Sequence, residues 1–312
     1  MSPLVLLLAM PALYWPEGVE TAARLKDAGI DRIVVAAEGA AAWRRAGFAV
    51  TPAKAEDLAA REKLAAPGIV GRADLASATR APWVTANGWR FLRKGGGRYR
   101  YEVTAGKASL AAAEGFAYGA DAILKIDPAD LAELGRMLAF LGALPAPELP
   151  ALADVAVVDD GSFALGEVMN LMVRRNLLFR AVSKPTSELR VNIELGAKEY
   201  PRKDAADPGA LALKVRRQLG DERRSLRLYG SDVVIGRLAG DGARLRLDLL
   251  NYGGREVESL RVRVRGRYAA ADVSVAGLGA LPMEDYTLTE DATEFSIPRL
   301  GPYAQVVLPA AP

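Results

Sequence analysis

The stretch RIVVAAEGAAAWRRAGFAV, residues 32–50, decides the fold class of the first part of this chain. It begins with a compact β-rich run over residues 32–37 and continues as a helix-forming segment over residues 40–46. That segment ends at Gly47, and a short apolar run follows over residues 48–50. Short apolar strands that alternate with helices are typical of a parallel sheet covered by helices. The stretch therefore predicts an α/β fold.

The same alternation extends on both sides of this stretch, to about residue 195. It predicts further strands at residues 5–10, 67–70, 83–86, 99–103, 122–126, 155–158, 178–182 and 190–195. It also predicts helices at residues 19–28, 55–64, 107–118, 130–141 and 164–175, and a glycine-rich hairpin at residues 94–97. Because several strands are very short, we count about eight. That count predicts a (β/α)8-like barrel over residues 1–220, and an open doubly wound sheet is the alternative.

The pattern changes after about residue 220. Helical periodicity stops, and short strands follow one another at hairpin spacing, separated by turn signals such as Gly240-Asp241-Gly242. Leu245, Leu247 and Leu249 alternate with charged residues, which indicates one buried and one solvated face. Residues 221–312 are therefore predicted to form a small antiparallel β-sandwich, and the whole chain is α/β plus all-β.

The composition excludes much catalytic chemistry. The chain contains no histidine and no cysteine, so it cannot use a Ser-His-Asp or Cys-His arrangement or a His- or Cys-ligated metal. Asp and Glu remain as the most suitable proton-transfer groups, and we expect no cofactor and no metal. The net charge of +3 is too small and too dispersed to indicate a nucleic-acid partner.

The apolar run at residues 4–10 leaves two interpretations open. It is too short to span a membrane, and no other segment approaches that length. As the first buried strand it implies a cytoplasmic protein. As the remnant of a signal peptide it implies a periplasmic or secreted one, although residues 1–3 carry no side-chain charge.

Candidate site residues follow the predicted strands, because ligands bind at the carboxyl ends of parallel strands. Four acids and four other polar or aromatic side chains lie at such positions. The candidate catalytic residues are Asp159, Asp160, Glu17 and Glu38, and the candidate substrate-binding residues are Trp15, Asn87, Trp89 and Arg90. Aromatic rings with acids and amides resemble a sugar site, where rings stack on apolar sugar faces. We expect one acid beside an indole, where desolvation would raise its pKa towards general-acid use.

These four acids, and two further aspartates at helix starts, also have structural interpretations. Asp127 and Asp207 each precede a proline at the start of a helix and are expected to be caps. Asp159 and Asp160 lie in a loop in which one of them or Ser162 could cap the next helix. Glu17 could interact with a helix dipole, and Glu38-Gly39 could form a turn.

The layout resembles glycoside hydrolases built as a (β/α)8 barrel followed by a C-terminal β-domain. The C-terminal stretches 233–235, 245–252, 260–264 and 303–308 carry this resemblance. Residues 154–182, which include Arg175-Asn176-Leu177-Leu178-Phe179, also resemble the amidotransferase-like domain of family 42 type β-galactosidases. That second resemblance implies a flavodoxin-like unit from Asp154 onward and a truncated barrel. The catalytic Glu pair of such enzymes does not map onto this chain.

Three hypotheses about function follow. The first is a glycoside hydrolase that uses two carboxylates facing each other across a pocket. The second is a non-catalytic carbohydrate-binding or scaffold protein derived from a glycosidase fold, in which the acids act as caps. The third, an Mg²⁺-dependent phosphate or sugar enzyme, requires three converging carboxylates. The expected partner is a carbohydrate ligand, and the oligomeric state is not predicted.

Overall fold

The computed structural model describes residues 10–70, 82–145 and 147–312. The predicted strand at residues 5–10 lies outside these residues except for Met10. The first described strand begins at Ala12.

The helices and strands of the described residues are as follows. The α-helices are α1 (Ala22–Asp27), α2 (Ala40–Arg45), α3 (Ala55–Ala59), α4 (Gly88–Arg93), α5 (Ala108–Ala117), α6 (Leu131–Ala143), α7 (Phe163–Arg174) and α8 (Pro208–Leu219). The strands are β1 (Ala12–Tyr14), β2 (Arg32–Ala36), β3 (Ala49–Ala53), β4 (Glu62–Leu64), β5 (Gly68–Val70), β6 (Trp83–Thr85), β7 (Arg98–Glu102), β8 (Asp121–Lys125), β9 (Val155–Val158), β10 (Phe179–Val182), β11 (Val191–Ile193), β12 (Leu226–Tyr229), β13 (Val234–Gly240), β14 (Arg244–Asn251), β15 (Val257–Arg265), β16 (Val273–Val275), β17 (Gly279–Leu281), β18 (Glu284–Leu288), β19 (Ala292–Leu300) and β20 (Tyr303–Pro309).

The described residues fall into two compact units. The first lies within Met1–Gly68 and Gly96–Ala146, and the second within Ile69–Gly95 and Pro147–Pro312. The predicted boundary at residues 220/221 stays a prediction. The change of secondary structure there is clear, since no α-helix occurs in the described chain after Leu219.

The first unit is built on a parallel sheet of six strands in the order β3-β2-β1-β8-β7-β4. One face of this sheet is apolar. Neighbouring strands place a continuous row of buried side chains on it, namely Leu64, Tyr101, Leu124, Leu13 and Ile33. The Tyr101 hydroxyl donates a 2.5 Å hydrogen bond to the fully buried Glu114 of α5, so α5 covers this apolar face.

Two close contacts hold the helices of the first unit. At Gly135 of α6, an added methyl group would lie 1.7 Å from the carbonyl oxygen of Ala28, so only glycine permits this approach. The buried carboxylate of Asp130 accepts hydrogen bonds from the backbone N–H groups of residues 106, 107 and 108. These N–H groups lie at the start of α5, where no preceding helical turn supplies a carbonyl acceptor, so the carboxylate takes that role.

The second unit begins with a parallel sheet of three strands in the order β10-β9-β11. Helix α7 follows β9, and α4 packs against it. At Gly166 of α7, an added methyl group would meet the Trp89 ring and the Arg93 guanidinium, each at 3.0 Å. The close packing of α4 on α7 therefore depends on this glycine.

The second unit continues as two antiparallel sheets, in the orders β12-β15-β19-β18 and β13-β14-β20-β16-β17. Both contribute to one hydrophobic cluster, which includes Leu247 and Val306 from one sheet and Val262 and Phe295 from the other. Hairpin spacing and turn signals predicted eight of these strands, and all eight are present. The solvated face predicted from the alternation in residues 244–250 is wrong, because Arg246 and Asp248 of β14 are buried and form an ion pair at 3.1 Å. β17 was not predicted.

Two local predictions are wrong. Residues 62–64, predicted as the end of one helix over residues 55–64, form β4 and pair with β7. Lys63 and Leu64 are good helix formers, and pairing within the sheet outweighs that weak preference. The predicted hairpin at residues 94–97 does not form, because α4 separates β6 from β7 and these strands belong to different sheets.

The α/β fold with parallel sheets, followed by antiparallel sheets, is confirmed. The described strands of residues 1–220 are divided among separate sheets, and their hydrogen bonds do not close a ring of eight.

Candidate functional site

The strand order of the three-stranded sheet contains a switch point at its carboxyl edge. β10 and β11 lie on opposite sides of β9, so the chain leaves β9 in one direction and returns on the other side. Ligands of open α/β sheets bind at such switch points, outside the carboxyl ends of the strands. Asp159, Asp160 and Ser162 follow β9 directly at this edge.

Asp159 is held by an arginine of α4. Arg93 donates from Nε and Nη2 to the Asp159 carboxylate at 2.7–3.1 Å, and Nη2 also donates to the Ser162 carbonyl at 3.1 Å. Asp159 Oδ1 accepts a further bond from the Gly161 N–H at 2.9 Å. The side chains of Arg93 and Asp159 are only 12% and 26% exposed. This fork geometry fixes the carboxylate and the loop together.

Asp160 and Ser162 close the same loop. Asp160 Oδ1 accepts from the Ser162 N–H at 2.9 Å, and Oδ2 accepts from Arg202 Nη1 at 3.3 Å. The Ser162 hydroxyl accepts from the Leu165 N–H, which makes it the N-cap of α7. Both acids therefore shape the turn that starts the helix.

The pKa values of the two acids move in the direction opposite to the sequence expectation. Hydrogen bonds from Arg93 hold the pKa of Asp159 below its usual range. For Asp160, partial burial raises the pKa, but hydrogen bonds from Ser162 and Arg202 outweigh that effect and lower it overall. Both groups are consequently ionised at neutral pH, and neither is a general acid there.

The substrate-binding candidates of the second unit lie on α4, next to Arg93. Asn87 is buried before the first residue of this helix, and its carbonyl accepts from the Arg90 N–H. The Arg90 guanidinium lies over the Trp89 ring, 4.4 Å from its centre. Both side chains are half-buried, so the arginine covers part of the indole surface.

Sequence reasoning missed one aromatic residue of this edge. Phe163, the first residue of α7, is 83% exposed. It directly follows the N-cap Ser162, so it lies next in sequence to the loop of Asp160. An apolar residue directly after an N-cap serine is the signal that could have singled it out.

The remaining candidates lie in the first unit, after β1 and β2. Trp15 is only 2% exposed, and its Nε1 donates to the Thr21 hydroxyl at 2.8 Å. Glu17 pairs with Arg24 at 2.9 Å. Glu38 lies exposed in a short 3₁₀ turn. The eight candidates are thus divided between the two units rather than drawn from one.

A second group of polar side chains, also missed, lies on the six-stranded sheet, opposite its apolar face. We call Lys63, Arg100, Glu102 and Lys125 the charged face. Glu102 accepts hydrogen bonds from Lys63 and, at 2.9 Å, from Arg100 Nη1. The alternation of Arg and Glu with Tyr in β7 was the available signal.

The described residues contain no group of three or more carboxylates positioned to hold a metal ion. None of the described helices has the length and apolarity needed to cross a membrane.

Comparison with known proteins adds a likeness in fold. No family model matches the chain, and no curated protein matches it. Among solved structures, α-L-fucosidase isoenzyme 2 from Paenibacillus thiaminolyticus is similar, with a TM-score of 0.52 and 12% identity. The match covers 71% of this chain and 62% of the fucosidase chain. A noncanonic maltogenic α-amylase, AmyB from Thermotoga neapolitana, matches with a TM-score of 0.29 and 10% identity, over 99% of this chain and 100% of that one.

Proposed function

We propose that this protein binds carbohydrate on a glycosidase-like fold and does not hydrolyse it. The observation that carries the proposal is the state of the two acids at the carboxyl edge of the three-stranded sheet. Asp159 is locked by Arg93, and Asp160 by Arg202 and the backbone of its own loop.

Hydrolysis of a glycoside requires different carboxylates. One must be protonated near neutral pH to donate to the leaving oxygen, and the second must face it across the sugar, at about 5–9.5 Å. Asp159 and Asp160 have lowered pKa values, and each one already bonds to an arginine. The arrangement favours a rigid binding edge.

The same edge offers contacts that suit a sugar. The Phe163 ring provides an exposed apolar surface for the axial C–H groups of a pyranose. Asp160 is 24% exposed and Arg202 is 67% exposed, so their outer atoms remain available to hydroxyl groups. An apolar platform with a few convergent polar groups is the usual composition of a small-ligand site.

We further propose that the first unit is a reduced version of the barrel of glycosidases. Its strand order runs cyclically, since the first strand β1 pairs with both β2 and the last strand β8. The one open step is between β3 and β4. A flat sheet would hold these two strands about 24 Å apart. Residues 54–61 join them and include α3, and this connection spans about 21 Å at most. Because β3 and β4 are parallel, the connection must also run back from the end of β3 to the start of β4. These lengths support a rolled sheet.

The likeness to the fucosidase structure is consistent with this origin. We also propose that the two domains divide at residues 220/221, and that residues 221–312 form a β-sandwich. The family 42 likeness of residues 154–182 is also a proposal, and the separate three-stranded sheet supports it.

Calorimetric titration with a panel of neutral and acidic oligosaccharides tests the proposal. We expect saturable binding of at least one class and recovery of the ligand uncleaved. Phe163→Ala should weaken binding of a neutral sugar about tenfold, a loss in the range of an aromatic contact. Leu213→Ala, which removes another exposed apolar side chain of this unit, should leave it unchanged. Absence of binding to every class would reject the proposal.

A glycoside hydrolase is the second candidate. The accessibility of Asp160 at a strand end favours it, because substrate could approach this carboxylate. On that hypothesis Asp160→Asn abolishes turnover of aryl glycosides and leaves thermal stability nearly unchanged. On ours, the same variant loses stability, and there is no turnover to abolish.

A further inference from the structure

The charged face of the six-stranded sheet has a site of its own. In the register of the sheet Lys63 lies beside Arg100, and Glu102 lies beside Lys125. Arg100 and Glu102 are two residues apart on β7, so all four side chains emerge on one side of the sheet. Glu102 and Lys125 are the last residues of their strands, which places the group at the carboxyl end, where ligands of parallel sheets bind.

The charges of this group do not balance. Three cations surround the carboxylate of Glu102, which leaves an excess of two positive charges. At the other end of the same strands, the carboxylate of Asp121 is already paired with Arg61 and Arg98.

The cations are incompletely used and still accessible. Lys63 is 59% exposed and Arg100 is 31% exposed. Arg100 Nε is buried and has no hydrogen-bond partner. A buried donor without a partner is rare and costly, and it calls for an acceptor. Tyr14 and Lys125 each follow directly after a paired residue, Leu13 and Leu124, so the alternation of the strands places the half-buried Tyr14 on the same face.

We propose that the charged face binds the anionic group of an acidic sugar, one that carries a carboxylate or a sulfate. The proposal rests on the proposed carbohydrate function and names the ligand class of a second site, in the first unit. At this second site, the guanidinium of Arg100 and the ammonium groups of Lys63 and Lys125 contact the anion. Glu102 occupies the cations when no ligand is bound and competes with the ligand for them.

This competition gives the test its direction. In calorimetric titrations of the full chain with oligogalacturonides, Lys63→Met and Lys125→Met should each weaken binding about tenfold, the loss of one charge-assisted contact. Glu102→Gln removes the competing anion and should tighten binding severalfold. A merely structural role of Glu102 would lower the midpoint of urea unfolding but would not tighten binding. Lys26→Met, which removes the same charge from α1 of this unit, should not change the affinity.

The probes separate the sources of the anion. Tighter binding of oligogalacturonides supports a carboxylate, and tighter binding of chondroitin sulfate oligosaccharides supports a sulfate. Uncharged cello-oligosaccharides of matched length should bind at least tenfold more weakly. Equal affinity for acidic and neutral sugars, equal affinity for inorganic phosphate, or an unchanged affinity in Glu102→Gln overturns the inference. If neutral sugars bind and acidic ones have no advantage, the inference fails and the proposed function survives. If no carbohydrate binds, the proposed function fails.

Discussion

Replacing Asp159 by Asn tests whether this acid holds the loop or performs chemistry. The substitution keeps the size of the side chain but removes its charge, so the two bonds between ionised groups become at most one bond from the charged Arg93 guanidinium to a neutral amide oxygen. A hydrogen bond to a charged group contributes about 1.5–3 kcal/mol, and at least one such bond is lost. Allowing for partial exposure, we expect a loss of about 2 kcal/mol in the free energy of unfolding, measured by urea denaturation at pH 7.

A double-mutant cycle isolates the pair. Arg93→Met and Asp159→Asn should each destabilise the protein, and the double variant should lose less than the sum, with a coupling of about 1–2 kcal/mol. The contribution should depend on pH. Because the pKa of Asp159 is lowered by Arg93 in the folded protein, the stabilisation is present above the ordinary pKa of an aspartate and disappears as the pH falls through the folded value.

The result that would refute this reasoning is specific. A stable Asp159→Asn variant with no coupling to Arg93, combined with loss of a measurable glycosidase activity of the parent protein, would show that Asp159 serves catalysis. A stability loss without any change in carbohydrate binding would agree with a role in shaping the loop.

Three further predictions concern stability. Gly135→Ala should destabilise the protein by at least 1–3 kcal/mol, because the new methyl group would collide with the carbonyl of Ala28; near-normal urea unfolding would contradict this packing. Asn176 has a φ of 52° and bonds through its side chain to two backbone groups of β13, so Ala at this position should cost about 2 kcal/mol and more than Gly does; equal losses would argue against a backbone effect. Hydrogen bonds from Arg216 lower the pKa of Asp221 to about 2, so its contribution should be complete above about pH 4 and disappear towards pH 2; a parallel acid-unfolding curve for Asp221→Asn would contradict it.

Much of the local structure could be predicted from the sequence. Ser162, Asp127 and Asp207 were recognisable as caps by their position before helices, and each accepts the expected backbone hydrogen bond. The antiparallel strands were recognisable from short apolar runs at hairpin spacing and from the turn signals between them. Such features depend on neighbours in sequence, which is why they are visible without coordinates.

The features that failed depend on partners distant in sequence. The strand at Glu62–Leu64 has only three residues, and nothing in its composition distinguishes it from the preceding helix; its identity comes from pairing with β7. The state of Asp159 could not be predicted either, because its partner Arg93 lies 66 residues away. The charged face was missed for the same reason, since Lys63 and Lys125 meet Glu102 only through the order of the strands.

The most direct test of the central claim combines binding with product analysis on one sample. The full chain is titrated calorimetrically with oligosaccharides of several classes, and each ligand is recovered after prolonged incubation and examined by mass spectrometry. We predict saturable binding to at least one class and recovery of that ligand at its original mass. Cleaved products that disappear in Asp160→Asn, or the absence of binding to every class, would contradict the account.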